Sequence, residues 1–224
     1  MTKFGWTVVL IALVLIGGIA AFFLLRPSVA PEPAPAETGN EELEGRSIYA
    51  SGEYGFTVRY PSKAAIEETF SAFYHVGTAW RANALVNATG TPLLGIIAYE
   101  TKSEDSFPRY YDAMVRIGVS DDEEEVAVCE KVGKDIGETA LPERDINGTI
   151  WKAFSFQSAG MMQYVKGVSY RVVHDGKCFA LEKMAAGSNY QDDPDSAKDV
   201  SQETLDAEYA ALDAIIETFE FSGS

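Results

Sequence analysis

The run from Phe4 to Leu25, FGWTVVLIALVLIGGIAAFFLL, holds no charged residue and a single Thr among apolar residues and glycines. No other feature restricts the chain as much, because backbone amides in hydrocarbon must be paired within the segment, which a lone run achieves only as a helix. At a rise of 1.5 Å per residue, roughly 22 residues reach about 33 Å, enough to cross a hydrocarbon core of about 30 Å with some tilt. The sequence therefore reads as a single N-terminal transmembrane helix in an anchor of residues 1–26, a linker over 27–46, and an extracytoplasmic domain over 47–224. The rival reading is a cleavable secretory signal, which has an apolar core of about 7–15 residues and a small-residue site beside it. Here Ala34-Pro35-Ala36 lies well beyond the run with proline at its centre, and Ser28-Val29-Ala30 is followed by Pro31.

Pro27 to Gly45 carries four prolines, several glutamates and almost nothing to bury, which is the composition of an extended linker. Lys3 on one side and Arg26 on the other leave the positive-inside signal balanced. Cys129 and Cys178 tip it, since a stable pair needs an oxidising space, and the expected arrangement is a single-pass cell-membrane protein with its N-terminus cytoplasmic. Lys3 and Arg26 are two of the 18 basic residues and none of the 34 acidic residues precedes Glu32, so the remainder carries a net charge of about −18. Such a surface repels nucleic-acid phosphate and anionic headgroups, and no nucleic-acid partner is expected.

The domain opens on Tyr54-Gly55-Phe56-Thr57-Val58-Arg59-Tyr60-Pro61-Ser62, where apolar and polar residues alternate over 54–60 as in a half-buried strand closed by proline. It closes on LDAIIETFEF, residues 212–221. A helix capped at Ser201 or Asp199 and running over 202–217 puts Leu205, Tyr209, Leu212, Ile215, Ile216 and Phe219 on one face, and Phe219 and Phe221 straddle Glu220 as in a short terminal strand. These two ends resemble the PsbP-like family of secreted and lumenal domains, which open on a GF-x-hydrophobic-x-YP strand and close on a helix running into a strand. The resemblance implies an α+β fold, an antiparallel β-sheet covered by helices as an α/β/α sandwich, and no enzymatic activity. It also leans Ala65 to Val76, which fits helix or strand equally, toward strand.

Between these ends, Leu93 to Tyr99 is a β-rich run, and Ser106 before Phe107-Pro108 predicts an N-cap and a helix from Phe107 to about Val115, with Ile117-Gly118-Val119 turning the chain out of it. From Thr149 to Ala186 three aromatic and β-branched runs follow one another. Trp151 and Ala153 on one face and Phe154 and Phe156 on the other suit a strand covered on both sides. Asp175-Gly176 predicts a tight type I′ hairpin within 170–182, central to a sheet that also contains 54–60 and 93–99, with His174 facing Lys177 and Val173 facing Cys178.

Chemistry is sparse. The sequence lacks a G-x-S-x-G elbow, a Walker loop, an H-E-x-x-H pair and a dinucleotide fingerprint, so no catalytic, cofactor or metal residues are assigned. His75 and His174 read as sheet and turn residues. Asp121-Asp122-Glu123-Glu124-Glu125 reads as the first turn of a short helix complementing its dipole, and Asp192-Asp193-Pro194-Asp195 as a turn-rich loop. Calcium loops need spaced ligands and a glycine turn, which neither has. Asn87-Ala88-Thr89 and Asn147-Gly148-Thr149 are glycosylation sequons if the chain meets that machinery. Cys129 and Cys178 are expected to form a disulfide, against two free thiols buried as small core residues or bridges between chains. Two function classes stay in view: a membrane-tethered, non-catalytic binding or interaction module for an envelope protein or small ligand, and a membrane-anchored hydrolase with a dispersed active site.

Overall fold

The computed structural model describes residues 45–72, 77–85, 87–102, 110–133, 137–188 and 200–222. The apolar run 4–25, nearly all of the linker, His75, Ser106 with Phe107, and 192–195 lie outside them. No helix among the described residues is long and apolar enough to cross a membrane.

The domain is mostly antiparallel β-sheet. Strands β1 (Arg46–Ser51), β2 (Phe56–Pro61) and β10 (Glu220–Phe221) form a three-stranded sheet in the order β1-β2-β10. A seven-stranded sheet has the order β3-β4-β5-β9-β8-β7-β6, from β3 (Ala65–Glu67), β4 (Thr91–Lys102), β5 (Tyr110–Ser120), β6 (Thr139–Ile146), β7 (Thr149–Gly160), β8 (Gln163–His174) and β9 (Lys177–Ser188). Three short helices complete the described residues: α1 (Glu123–Val128), α2 (Gln202–Ala211) and α3 (Asp213–Ile216).

The Asp175-Gly176 hairpin stands as read, with His174 opposite Lys177 and Val173 opposite Cys178, and both turn residues at positive φ. β9 lies at the centre of the large sheet, between β5 and β8, and is buried along nearly its whole length. Four expectations need correction. Strand β2 belongs to the small sheet, where Phe56 pairs with Phe221, and not to the sheet of 93–99 and the hairpin. Ala65 to Val76 supplies a strand only over Ala65–Glu67 among its described residues. Residues 110–115 are strand, and Ile117-Gly118-Val119 continues it. β5 is buried on both faces, so its apolar residues run without the alternation that marks a half-exposed strand, and a run of that kind does not distinguish helix from strand. The closing helix is two pieces that meet at Leu212, whose side chain is buried against the sheet.

The α/β/α sandwich is also revised, because the two faces of the large sheet are covered differently. On one face Val115 and Ile117 of β5, Phe179 and Leu181 of β9 and Trp151 of β7 meet Leu212, Ile216 and Phe219 from the helical end, together with Phe56 and Val58 of the small sheet. Ion pairs hold that layer down: Arg144 Nη1 donates to Asp213 Oδ1 (2.9 Å), and Lys183 Nζ to Asp213 Oδ2 (2.7 Å). The opposite face carries Met114, Met184, Cys178 and Ala180, and is covered by the short α1 and by a strap of irregular chain around residues 77–90. Apart from the six-residue α1, no helix covers that face among the described residues. The strap runs very close to the sheet, since a Cβ on Gly118 would sit 1.8 Å from the carbonyl oxygen of Trp80.

Candidate functional site

Six of the buried charged residues that the fold gathers lie under the strap. Even-numbered residues of β5 and β9 share the strap-covered face, so Arg116 stands opposite Glu182 across the ladder, and Glu182 stands opposite Ser169 of β8, two residues from Arg171. Arg81 from the strap, Glu125 from α1 and Glu138 just before β6 complete a group of three arginines and three glutamates, all buried. Arg81 donates to Glu125 Oε2 through Nε (3.1 Å) and Nη2 (2.6 Å), while the amide of Leu85 donates to Glu125 Oε1 (2.6 Å). Arg171 Nη2 donates to Glu138 Oε2 (2.6 Å). The amide of Ala82 donates to both oxygens of Glu182 (2.9 Å each), and Arg116 Nη2 donates to the carbonyl of Ala79 (2.6 Å). Ion pairs and strap amides thus satisfy one another in a region closed to water, where an unpaired charge is expensive.

Two arginines are further supported by rings. The Arg116 guanidinium lies 3.8 Å from the Phe70 ring centroid and that of Arg171 lies 3.8 Å from Phe154, in each case with Nε making no hydrogen bond among the described residues. A ring face is a favourable neighbour for a desolvated cation. Burial pulls both guanidinium groups below the ordinary arginine value, with Glu182 opposing this at Arg116 and Glu138 opposing it at Arg171.

The cysteines close the same assembly. Cys129 and Cys178 form a disulfide with Cα atoms 5.6 Å apart, which fastens the end of α1 to central strand β9, and the bridge packs against Trp80 of the strap. The acidic run resolves as a cap, because Asp122 accepts hydrogen bonds from the amides of Glu124 and Glu125, Glu123 and Glu124 face solvent, and Glu125 turns inward to Arg81. Among the described residues no group of three or more His, Cys, Asp or Glu side chains is arranged to hold a metal ion. His174 stacks on Phe221 (centroids 3.8 Å apart, planes 7° apart) and so helps seat the terminal strand. Asn147 serves the same strand: its amide nitrogen donates to the carbonyls of Glu217 (2.9 Å) and Phe219 (2.8 Å), so the nitrogen that a glycan would modify is already engaged. Asn147-Gly148 is in addition the two-residue turn between β6 and β7, a hairpin signal that the sequon reading passes over.

Two features lay outside the sequence reading. Asp112 on β5 is nearly buried opposite Glu100, and burial, with Glu100 and Glu67 nearby, pushes its carboxyl up to about 6. The β7–β8 hairpin turns through Met161 and Met162 at φ 48° and 64°, with the side chains 82% and 54% exposed. The left-handed backbone costs an ordinary residue roughly 1–2 kcal/mol, which makes this turn the most strained exposed segment described.

No protein-family model and no curated protein sequence matches the chain. Among solved structures it is similar to the solution structure of cyanobacterial PsbP (CyanoP) from Synechocystis sp. PCC 6803, at 9% identity and a TM-score of 0.40, over 86% of this chain and 99% of that one.

Proposed function

We propose that the chain is a membrane-tethered, non-catalytic binding or interaction module, held to the bilayer by residues 4–25 with its domain in an extracytoplasmic, oxidising compartment. The observation that carries this reading is the buried Cys129–Cys178 disulfide. A reducing compartment does not maintain such bonds, and a chain with a long uncharged apolar N-terminal run has a route out of one. The ion-pair network supports the non-catalytic part, since Arg81, Glu125, Arg171 and Glu138 are engaged with one another beneath the strap instead of lining an open cleft. An unidentified envelope protein or a small ligand is the partner class this implies.

A reporter active only in the cytoplasm, fused after Ser224, stays silent under this reading, and one active only outside gives signal. Strong cytoplasmic signal overturns it. One observation favours the hydrolase instead, namely the raised carboxyl of Asp112 beside Glu100 and Glu67, since catalytic acids are tuned in this way. Asp112→Asn separates the two: binding of a partner cross-linked from the native envelope survives the change, whereas a hydrolytic activity built on that carboxyl does not.

A further inference from the structure

Among the described residues, three hairpins turn through two residues that both have positive φ. Two of them carry residues suited to that backbone, Asn147-Gly148 and Asp175-Gly176, and the third carries Met161-Met162. Methionine in this conformation is strained. Met161 is 82% and Met162 54% exposed, so much of the pair's apolar surface faces outward.

We propose that this hairpin tip seats in the outer layer of the lipid bilayer to which the chain is tethered, with Met161 and Met162 entering the acyl boundary. The inference rests on the tethered reading above. Three observations choose lipid as the occupant. The apolar run 4–25 would bring a bilayer to the domain, and the chain between it and β1, which at full extension reaches at most about 60 Å, is longer than the roughly 40 Å width of a domain this size, so the β7–β8 end is within reach of the surface. The tip is uncharged from Ser158 to Val165, and residues 146–174 contain no Asp or Glu although the whole chain carries −16, so this hairpin lacks the charge that keeps the rest of the surface off a membrane. Behind the tip, the half-buried Tyr110 packs on the cluster of Met114, Phe156 and Met184 and its hydroxyl donates to Gln163 (3.1 Å), an amphipathic ring of the kind that headgroup layers favour. Flexible unbranched thioethers with no directional polar group suit fluid hydrocarbon.

The test uses the full chain with Trp6→Phe in phosphatidylcholine vesicles, prepared with and without bromine on the acyl chains. Met161→Trp and Met162→Trp are compared with Ile150→Trp, an exposed position at the far end of β7. Trp80 and Trp151 are buried and contribute a constant background. The expected result is that brominated lipid quenches the tryptophans at 161 and 162 but not the one at 150, and that adding phosphatidylserine weakens the quenching because the domain is acidic. A chain that floats with the vesicles yet shows equal, unquenched emission at all three positions overturns the contact and leaves the tether standing. A blue shift at 161 without bromine quenching places the tip against protein, which also overturns it. Failure to float ends the tethered reading and this inference together.

Discussion

Removing the Glu125 carboxylate should unfold the strap before anything else, and the effect can be sized from its contacts. Glu125 is fully buried and accepts from Arg81 Nε, Arg81 Nη2 and the amide of Leu85. Glu125→Leu leaves the Arg81 cation buried without a carboxylate, a change that costs roughly 3–5 kcal/mol. Taking both partners away in Arg81→Met/Glu125→Leu removes the charge as well as its counter-charge. The amide of Leu85 then remains unpaired, at about 1–3 kcal/mol. The double variant is therefore more stable than the single one by on the order of 2 kcal/mol. Urea unfolding followed by the emission of Trp80 and Trp151 reads this directly. With a slope of about 2 kcal/mol/M, the midpoint drops by about 1.5–2.5 M in Glu125→Leu and recovers by about 1 M in the double variant. A double variant no more stable than Glu125→Leu, or a single variant indistinguishable from the parent, refutes the claim that this pair holds the strap.

Gly118→Ala pushes the strap off the sheet, because its Cβ meets the Trp80 carbonyl, and costs on the order of 1–3 kcal/mol in the same assay. Asp112 is a carboxyl whose folded pKa, about 6, lies above its ordinary value of 3.8, so between those values the folded state binds the extra proton and stability falls as pH rises. Asp112→Asn should accordingly raise Tm at pH 7, with the advantage fading as pH is lowered from 6 to 4; an advantage independent of pH argues against the raised carboxyl. Replacing both cysteines, Cys129→Ala/Cys178→Ala, opens a loop of 49 residues and costs about 4 kcal/mol in the chain-entropy account. Emission from Trp80 should rise in that variant, since a disulfide packed on an indole quenches it, and unchanged emission would place Trp80 away from the bridge. Met161→Asn/Met162→Gly relieves two left-handed methionines and should raise Tm by a few degrees; no rise means the turn is not strained.

Local chemistry was enough to identify several elements. Asp175-Gly176 demands positive φ at both positions, so its hairpin and register were legible, and Ser201 announced the cap of α2. The acidic run read as the first turn of a short helix, which Glu123 to Glu125 form, though Asp122 stands before it as the cap, and with only two cysteines in the chain the Cys129–Cys178 pair was among very few choices. Tertiary structure decided the rest, because burial on two faces erases periodicity and pairing between distant residues leaves no local mark. β5 read as a helix because Ser106 before Phe107-Pro108 looks like a helix start, and a strand buried on both faces shows no alternation to correct that reading. The separation of β2 into its own sheet depended on Phe56 meeting Phe221 from the far end of the chain. Arg81, Arg116 and Arg171 each look like ordinary surface arginines in sequence. Only the ladder that sets Arg116 opposite Glu182, and the strap that carries Arg81 to Glu125 across 44 residues, makes them a buried network.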